Sequence, residues 1–159
     1  MDVRQHVKKT EMKVEELRER LLNQNADFEI IRHEIPIKSK KDALGYFKIE
    51  ETVPTLIVET EIGCYALIIS GERDKMDLEL IKNLLGCEKI GMADKKEIVE
   101  KLKLELGQIP LVGHELPCII DNRIFKYRFV YGGTGDWYHT LKIKPDDLAK
   151  ANNVVLKFD

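Results

Sequence analysis

Val14, Leu17 and Leu21 recur at intervals of three and four with Met12 and Leu22 beside them and charged residues between. That spacing gives a helix one apolar face. A helix is therefore predicted over 11–25, closed by Asn23 and Asn25. The pattern then shifts to short β-rich runs. FEIIRH at 28–33 reads as a strand, and KSKKDALGYF as a helix or turn closing at Gly45. PTLIVET and CYALIIS are nearly continuous apolar runs meeting at Glu61-Ile62-Gly63. They predict a hairpin whose strands are covered on both faces.

The middle of the chain turns helical over 76–85, ending at Gly86, and over 94–106, ending at Gly107, with CEKIGM as a short strand between. Asp94 and Glu97 can cap the second helix reciprocally, and a terminal glycine can adopt the left-handed conformation that closes it. LPCIID, FKYRFVYG and WYHTLKI then read as strands. PDDLAK carries proline where a first helical turn tolerates it and acids beside the positive helix end, before a last strand at VVLKF. Hairpins at both ends with two helices between predict an α/β domain with a largely antiparallel or mixed sheet, since a doubly wound parallel sheet alternates more regularly. Residues 1–26 are expected to form a helical extension and 27–159 the main domain, one compact unit overall.

Composition narrows the function. A chain of 159 residues can bury roughly 70% of its unfolded surface without metals or disulfides. Its 26 basic and 28 acidic side chains leave no strongly basic balance, so extended contact with nucleic-acid phosphates, DNA above all, is not expected. Any RNA contact should be small and local, at Lys38, Lys40 and Lys41 or at Lys142 and Lys144. Cys64, Cys87 and Cys118 lack metal spacing and are odd in number, which points to small apolar residues in a reducing compartment. The chain shows neither a signal-like start nor a membrane-length apolar run, and a cytoplasmic protein without a membrane partner is expected.

The usual catalytic signatures GxSxG, GxxxxGK[ST], HExxH and GxGxxG are absent, and His6, His33, His114 and His139 are scattered. No metal or cofactor is expected. Glycine remains: Gly107, Gly113, Gly132, Gly133 and Gly135 occupy two loops of the C-terminal half. Such loops can aim backbone N–H groups at a carbonyl oxygen or phosphate. The same residues also suit a hairpin turn and a helix cap.

Taken together, VPTLIV at 53–58, GQIPLVG at 107–113, LPCIIDN, YGGTG and LKIKPDDL resemble the YbaK and prolyl-tRNA-synthetase-associated aminoacyl-tRNA deacylases, a family of freestanding editing domains. The resemblance covers roughly residues 33–148. It implies a strongly curved mixed sheet or partly open barrel with helices around it. It also implies hydrolysis of the ester joining a wrong, small amino acid to the 3′ end of tRNA, such as alanyl- or cysteinyl-tRNA for proline. Members have no protein nucleophile: water or a group on the substrate attacks while backbone amides and a strand lysine hold the adenosine end and carbonyl. The partners implied are the 3′ end of aminoacyl-tRNA and an aminoacyl-tRNA synthetase.

By the same resemblance the pocket is lined by Gly107, Pro110 and Gly113, by Asp121, by the turn containing Gly133 and Gly135, and by Pro54 and Thr55, with His33 supporting the wall. Here Pro54 stands where the family has its lysine, and proline supplies neither the charge nor a backbone N–H. No catalytic residue is thereby defined. Strand alternation would set Pro54, Leu56 and Val58 on one apolar face. Lys48, Lys126 and Lys142 are candidate replacements, and substrate-assisted hydrolysis without a lysine is another route. The alternative function is a non-catalytic binder of aminoacyl-tRNA or a similar aminoacyl-adenosine ligand. A structural partner of a synthetase would instead show a contiguous exposed apolar patch. Trp137 and Tyr138 suit either stacking on the terminal adenine or rim packing.

Overall fold

The computed structural model describes residues 3–101 and 109–159. In chain order the elements are α1 (Val3–Asn23), β1 (Phe28–Arg32), α2 (Lys40–Ala43), a 3-10 turn (Ile49–Glu51), β2 (Thr55–Thr60), β3 (Gly63–Ile68), α3 (Leu78–Leu85), β4 (Ile90–Met92) and α4 (Lys95–Lys101). They continue with β5 (Pro117–Asp121), a second 3-10 turn (Asn122–Lys126), β6 (Val130–Gly133), β7 (His139–Ile143), α5 (Pro145–Lys150) and β8 (Asn153–Phe158). This is a mixed α/β domain, and among the described residues no helix is long and apolar enough to cross a membrane.

Among the described residues the strands form two open sheets and no closed barrel. One is antiparallel, in the order β1-β7-β6; the other runs β4-β2-β3-β5-β8. In the second, β2 pairs antiparallel with β3 and β4, whereas β3, β5 and β8 are parallel neighbours. The sheets are stitched together along the free edge of β6. Val53 N donates to Tyr131 O at 2.9 Å and Leu111 N to Gly133 O at 3.0 Å. Gly132 lies between these bonds, where a Cβ would come within 2.4 Å of Leu111 Cδ1 and 3.0 Å of the Val53 carbonyl oxygen. The seam therefore needs a residue without a side chain.

The apolar run of each central strand follows from burial on both faces. Cys118 and Ile120 of β5 join a core with Ile68, Val130, Leu141, Ile143 and Leu148, while Ile119 between them packs with Leu67, Ile81 and Phe158 on the other side. The helix α1 lays Leu17 and Leu21 into the first core, and Leu22 faces outward, 58% exposed. It ends as its asparagines suggest: Asn25 takes φ 57° and Ala26 N donates to Leu21 O at 3.0 Å, a left-handed closure. At α3, Asp77 caps the first turn, accepting from Glu79 N at 3.0 Å, and Gly86 closes it at φ 73°. The Asp94 carboxylate accepts from Lys96 N at 2.9 Å to start α4; Gly107 and the end of that predicted helix lie outside the described residues.

One predicted strand is corrected. FKYRFVYG is not extended throughout, because a 3-10 turn occupies Asn122–Lys126 and only Val130–Gly133 is a strand. The cause is Asp121, whose carboxylate accepts from Arg123 N at 3.0 Å and bends the chain as β5 ends. The same carboxylate is fully buried, accepts from Ser70 N at 2.9 Å and forms a two-pronged ion pair with Arg73. Burial pushes the Asp121 carboxyl up, but the Arg73 guanidinium and the Ser70 and Arg123 amides outweigh it and hold it below its ordinary value. The cysteines are free thiols. Cys118 and Cys87 are buried, and burial pushes the Cys118 thiol up to about 12; Cys64 is half-buried.

Two outcomes are expected from urea unfolding. Gly132→Ala should lose about 1–3 kcal/mol by overpacking the seam, whereas Gly91→Ala, whose added methyl meets nothing within 4 Å, should change stability by less than about 0.5 kcal/mol. Asp121→Asn should lose about 3–5 kcal/mol near neutral pH by leaving Arg73 without its buried partner. Since the folded-state value of Asp121 is depressed, its stabilisation is present above the unfolded value of 3.8 and fades as pH falls through the folded one. The wild type should therefore lose stability in that acid range through this group, and the Asn variant should not.

Candidate functional site

Proline at 54 falls where its missing donor removes no ladder bond. It sits just before β2, its neighbour Val53 makes the bond to β6, and its own carbonyl accepts from Ile69 N at 3.2 Å. Beside it, at the seam of the two sheets, lies a cavity of about 280 Å³. Its apolar wall comes from Ile37, Phe47, Val53, Pro54, Ile109 and Tyr131. Phe47 stacks on Tyr131 with ring centroids 4.6 Å apart, which fixes that wall. The polar lining is small: Thr52, Thr55, Thr140, Ser39 and the single charged side chain Lys38, with the backbone of Gly132 and Gly133.

Three of these hydroxyls are already engaged, Ser39 Oγ by accepting from Asp42 N at 3.3 Å. Thr52 Oγ1 donates to Ile49 O at 2.7 Å. His33 is buried behind the wall: its Nδ1 lies 2.7 Å from Ile35 O, which can only accept, so Nδ1 carries the proton and Nε2 accepts from Thr140 Oγ1 at 3.1 Å. His33 thus orients a cavity hydroxyl. Thr55 Oγ1 differs, being buried with no hydrogen-bond partner among the described residues. A buried hydroxyl left this way, on a residue that lines the cavity, carries a donor that no protein group among the described residues uses.

Of the residues singled out in the sequence, Lys38, Pro54, Thr55, Gly132, Gly133 and Trp137 line the cavity. Pro110 is buried next to lining residue Ile109. Gly113 and Gly135 adopt φ 97° and 96° in the connections following Leu111 and β6, outside the lining. Gly135 belongs to a cross-braced turn: Thr134 Oγ1 accepts from Asp136 N at 3.2 Å, and Asp136 accepts from Tyr138 N at 3.0 Å and meets His139 Nδ1 at 2.6 Å. Asp121 faces Arg73 and not the cavity.

None of the three replacement lysines lines the cavity. Lys126 reaches Glu72 at 3.1 Å, Lys142 lies 3.9 Å from Glu29, and Lys48 is exposed ahead of the first 3-10 turn. The face expected of Pro54, Leu56 and Val58 is also corrected. Leu56 and Val58 pack with Leu67 and Ile81 beneath α3, and Pro54, one residue ahead of the strand, turns to the cavity. Among the described residues no group of three His, Cys, Asp or Glu could hold a metal ion. His114 is buried away from the cavity, burial lowering its pKa, and its Nδ1 accepts from Leu116 N at 3.0 Å.

The sequence reading passed over Phe47, Tyr131 and Thr140, and it named Lys38 only as a candidate RNA contact, without placing it in the cavity wall. Lys38 looked like one member of a solvated lysine run. Its place depends on Ile37 N donating to Trp137 O at 2.9 Å, a contact across the whole domain with no local signal.

A family model described as an aminoacyl-tRNA editing domain matches residues 36–151. The proline–tRNA ligases of Syntrophomonas wolfei and Thermosipho africanus are similar over 106 residues at 28% and 29% identity, each match covering 65% of this chain. These matches take in 18% and 19% of the ligases, so the chain spans about a fifth of the length of these relatives. The solved structure of the hypothetical protein APE2540 is similar with a TM-score of 0.77 and 26% identity, over 91% of this chain and 97% of that one. A candidate trans-editing enzyme for prolyl tRNA synthetase gives 0.71 at 22% identity, over 81% and 83%, a likeness of fold. The family match takes in every residue lining the cavity, and the chain belongs to the aminoacyl-tRNA editing domain family.

Proposed function

We propose that this protein hydrolyses the ester of tRNA carrying a small noncognate amino acid, with alanyl- or cysteinyl-tRNA(Pro) as the substrate class, acting in trans in the cytoplasm. The observation that carries the reading is the seam cavity with the unpartnered Thr55 hydroxyl in its wall. At about 280 Å³ it is small for a drug-sized ligand and suits a small aminoacyl group. The similarity to a candidate trans-editing enzyme for prolyl tRNA synthetase supports the choice of tRNA. The need is physical: a synthetase pocket rejects an analogue smaller by one methylene by only about 1–3 kcal/mol, and a second hydrolytic site supplies the remaining discrimination.

In the proposed reaction a water oxygen adds to the ester carbonyl carbon and the carbonyl electron pair moves onto oxygen. The Thr55 side chain, whose Oγ1 is buried in this structure, turns that hydroxyl into the cavity and donates to the oxygen as its charge develops. The intermediate collapses by breaking the bond to the ribose 3′ oxygen, which takes up the proton lost by the water. Free amino acid and uncharged tRNA leave. Gly133, Pro54 and Phe47 hold the aminoacyl group, and positioning makes up for the absent nucleophile.

Pro54 favours a second reading, a non-catalytic binder of the same ligands, because the position carries no charge. Deacylation of a panel of charged tRNAs separates the two. Release from alanyl- or cysteinyl-tRNA(Pro) in preference to prolyl-tRNA(Pro), falling roughly 10²-fold in Thr55→Val, is the expected result. Binding of a nonhydrolysable analogue without turnover would establish the binder, and neither binding nor turnover would contradict both readings.

A further inference from the structure

Lys38 is the one charged side chain among the described residues lining the cavity. Three contacts set its place. Ile37 N donates to Trp137 O, Lys38 N donates to Asp42 Oδ2 at 3.1 Å, and the Lys38 ammonium lies 4.3 Å from the centroid of the Trp137 ring. The ring attracts the cation electrostatically and biases it toward the cavity. The Asp42 carboxylate is turned to the backbone amide, and none of the ion pairs among the described residues involves Lys38. Its charge is therefore available to a ligand.

Two ligand groups could use that charge, and exposure decides between them. Lys38 is exposed, and a hydrated ammonium adds little to an oxyanion, whose stabilisation depends on donors shielded from water. A phosphate at the surface is a better match for a lysine, which acts there as a mobile point charge. The chemistry of the substrate agrees. In a 3′-aminoacyl nucleotide the 5′ phosphate projects from the opposite end of the ribose to the ester, so an aminoacyl group seated in the cavity leaves its phosphate toward solvent.

We propose that Lys38, steered by Trp137, binds the phosphate 5′ to the terminal nucleoside of the acceptor strand. This rests on the editing or ligand-binding reading of the cavity. It assigns Lys38 a substrate-holding role distinct from the charge absent at Pro54. Lys38 and Thr55 then divide the work: the lysine anchors the nucleotide outside, and the hydroxyl meets the ester inside.

The test measures affinity for alanyl-adenosine linked by a 3′ amide in place of the ester, with and without a 5′ phosphate. Wild type, Lys38→Met and Lys38→Arg are compared. The phosphate should strengthen wild-type binding by about tenfold, as one charge-assisted contact does. That gain should fall below about twofold in Lys38→Met and persist in Lys38→Arg, with the phosphate-free analogue bound equally by all three. A phosphate gain that is absent in the wild type or unchanged in Lys38→Met would overturn the proposal while leaving the cavity reading intact, and so would an equal loss for both analogues. Failure of the wild type to bind either analogue would overturn the cavity reading, and the role of Lys38 with it.

Discussion

The free edge of β6 is the constraint on which the rest of this structure depends. Its Tyr131 and Gly133 carbonyls accept from Val53 and Leu111, so one strand closes a three-stranded sheet on one side and fastens a five-stranded sheet on the other. Gly132 allows this because both Leu111 and the Val53 carbonyl press on the space a side chain would take. The cavity follows from the junction. The gap beside it is walled by residues of the segments 37–55 and 131–140 together with Ile109.

That origin explains the cavity's chemistry. Much of its wall, at 37–39, Phe47 and 52–54, comes from chain between the strands, where side chains obey neither strand alternation nor helical periodicity, and β2, β6 and β7 supply Thr55, Tyr131, Gly132, Gly133 and Thr140. Hydroxyls and main-chain groups supply most of its polarity, and apart from Lys38 the charges in and around the two sheets are used elsewhere. Asp121 neutralises Arg73, Asp136 meets His139, and Glu72 holds Lys126. A reaction in such a site relies on orientation and hydrogen-bond donors. An ester, far more reactive than an amide, is the kind of bond for which these suffice.

Much of the fold was legible in the sequence because its signals are local. The spacing of Val14, Leu17 and Leu21 marked α1, Gly86 marked the end of α3, and the apolar runs of β2 and β3 announced strands covered on both faces. The 3-10 turn after β5 was missed because Phe125, Tyr127 and Phe129 look β-rich, whereas a single carboxylate at Asp121 decides the bend. The site was legible in part for the same reason. Pro54, Thr55 and Gly133 lie in recognisable motifs. Lys38, Phe47 and Thr140 reach the cavity through pairings between distant segments, which periodicity does not encode. Asp121 carried a motif signal, and its side chain is occupied in holding β5 to the loop at Ser70 and Arg73.

The central claim is that the seam cavity receives the aminoacyl end of tRNA. Amide chemical-shift mapping with a nonhydrolysable alanyl-adenosine tests it most directly. The account expects the largest saturable shifts at Thr55, Tyr131, Gly133 and the Trp137 indole, with Ser70 and Asp121 unmoved. Saturable shifts concentrated around Asp121 or His114, with the seam silent, would contradict it.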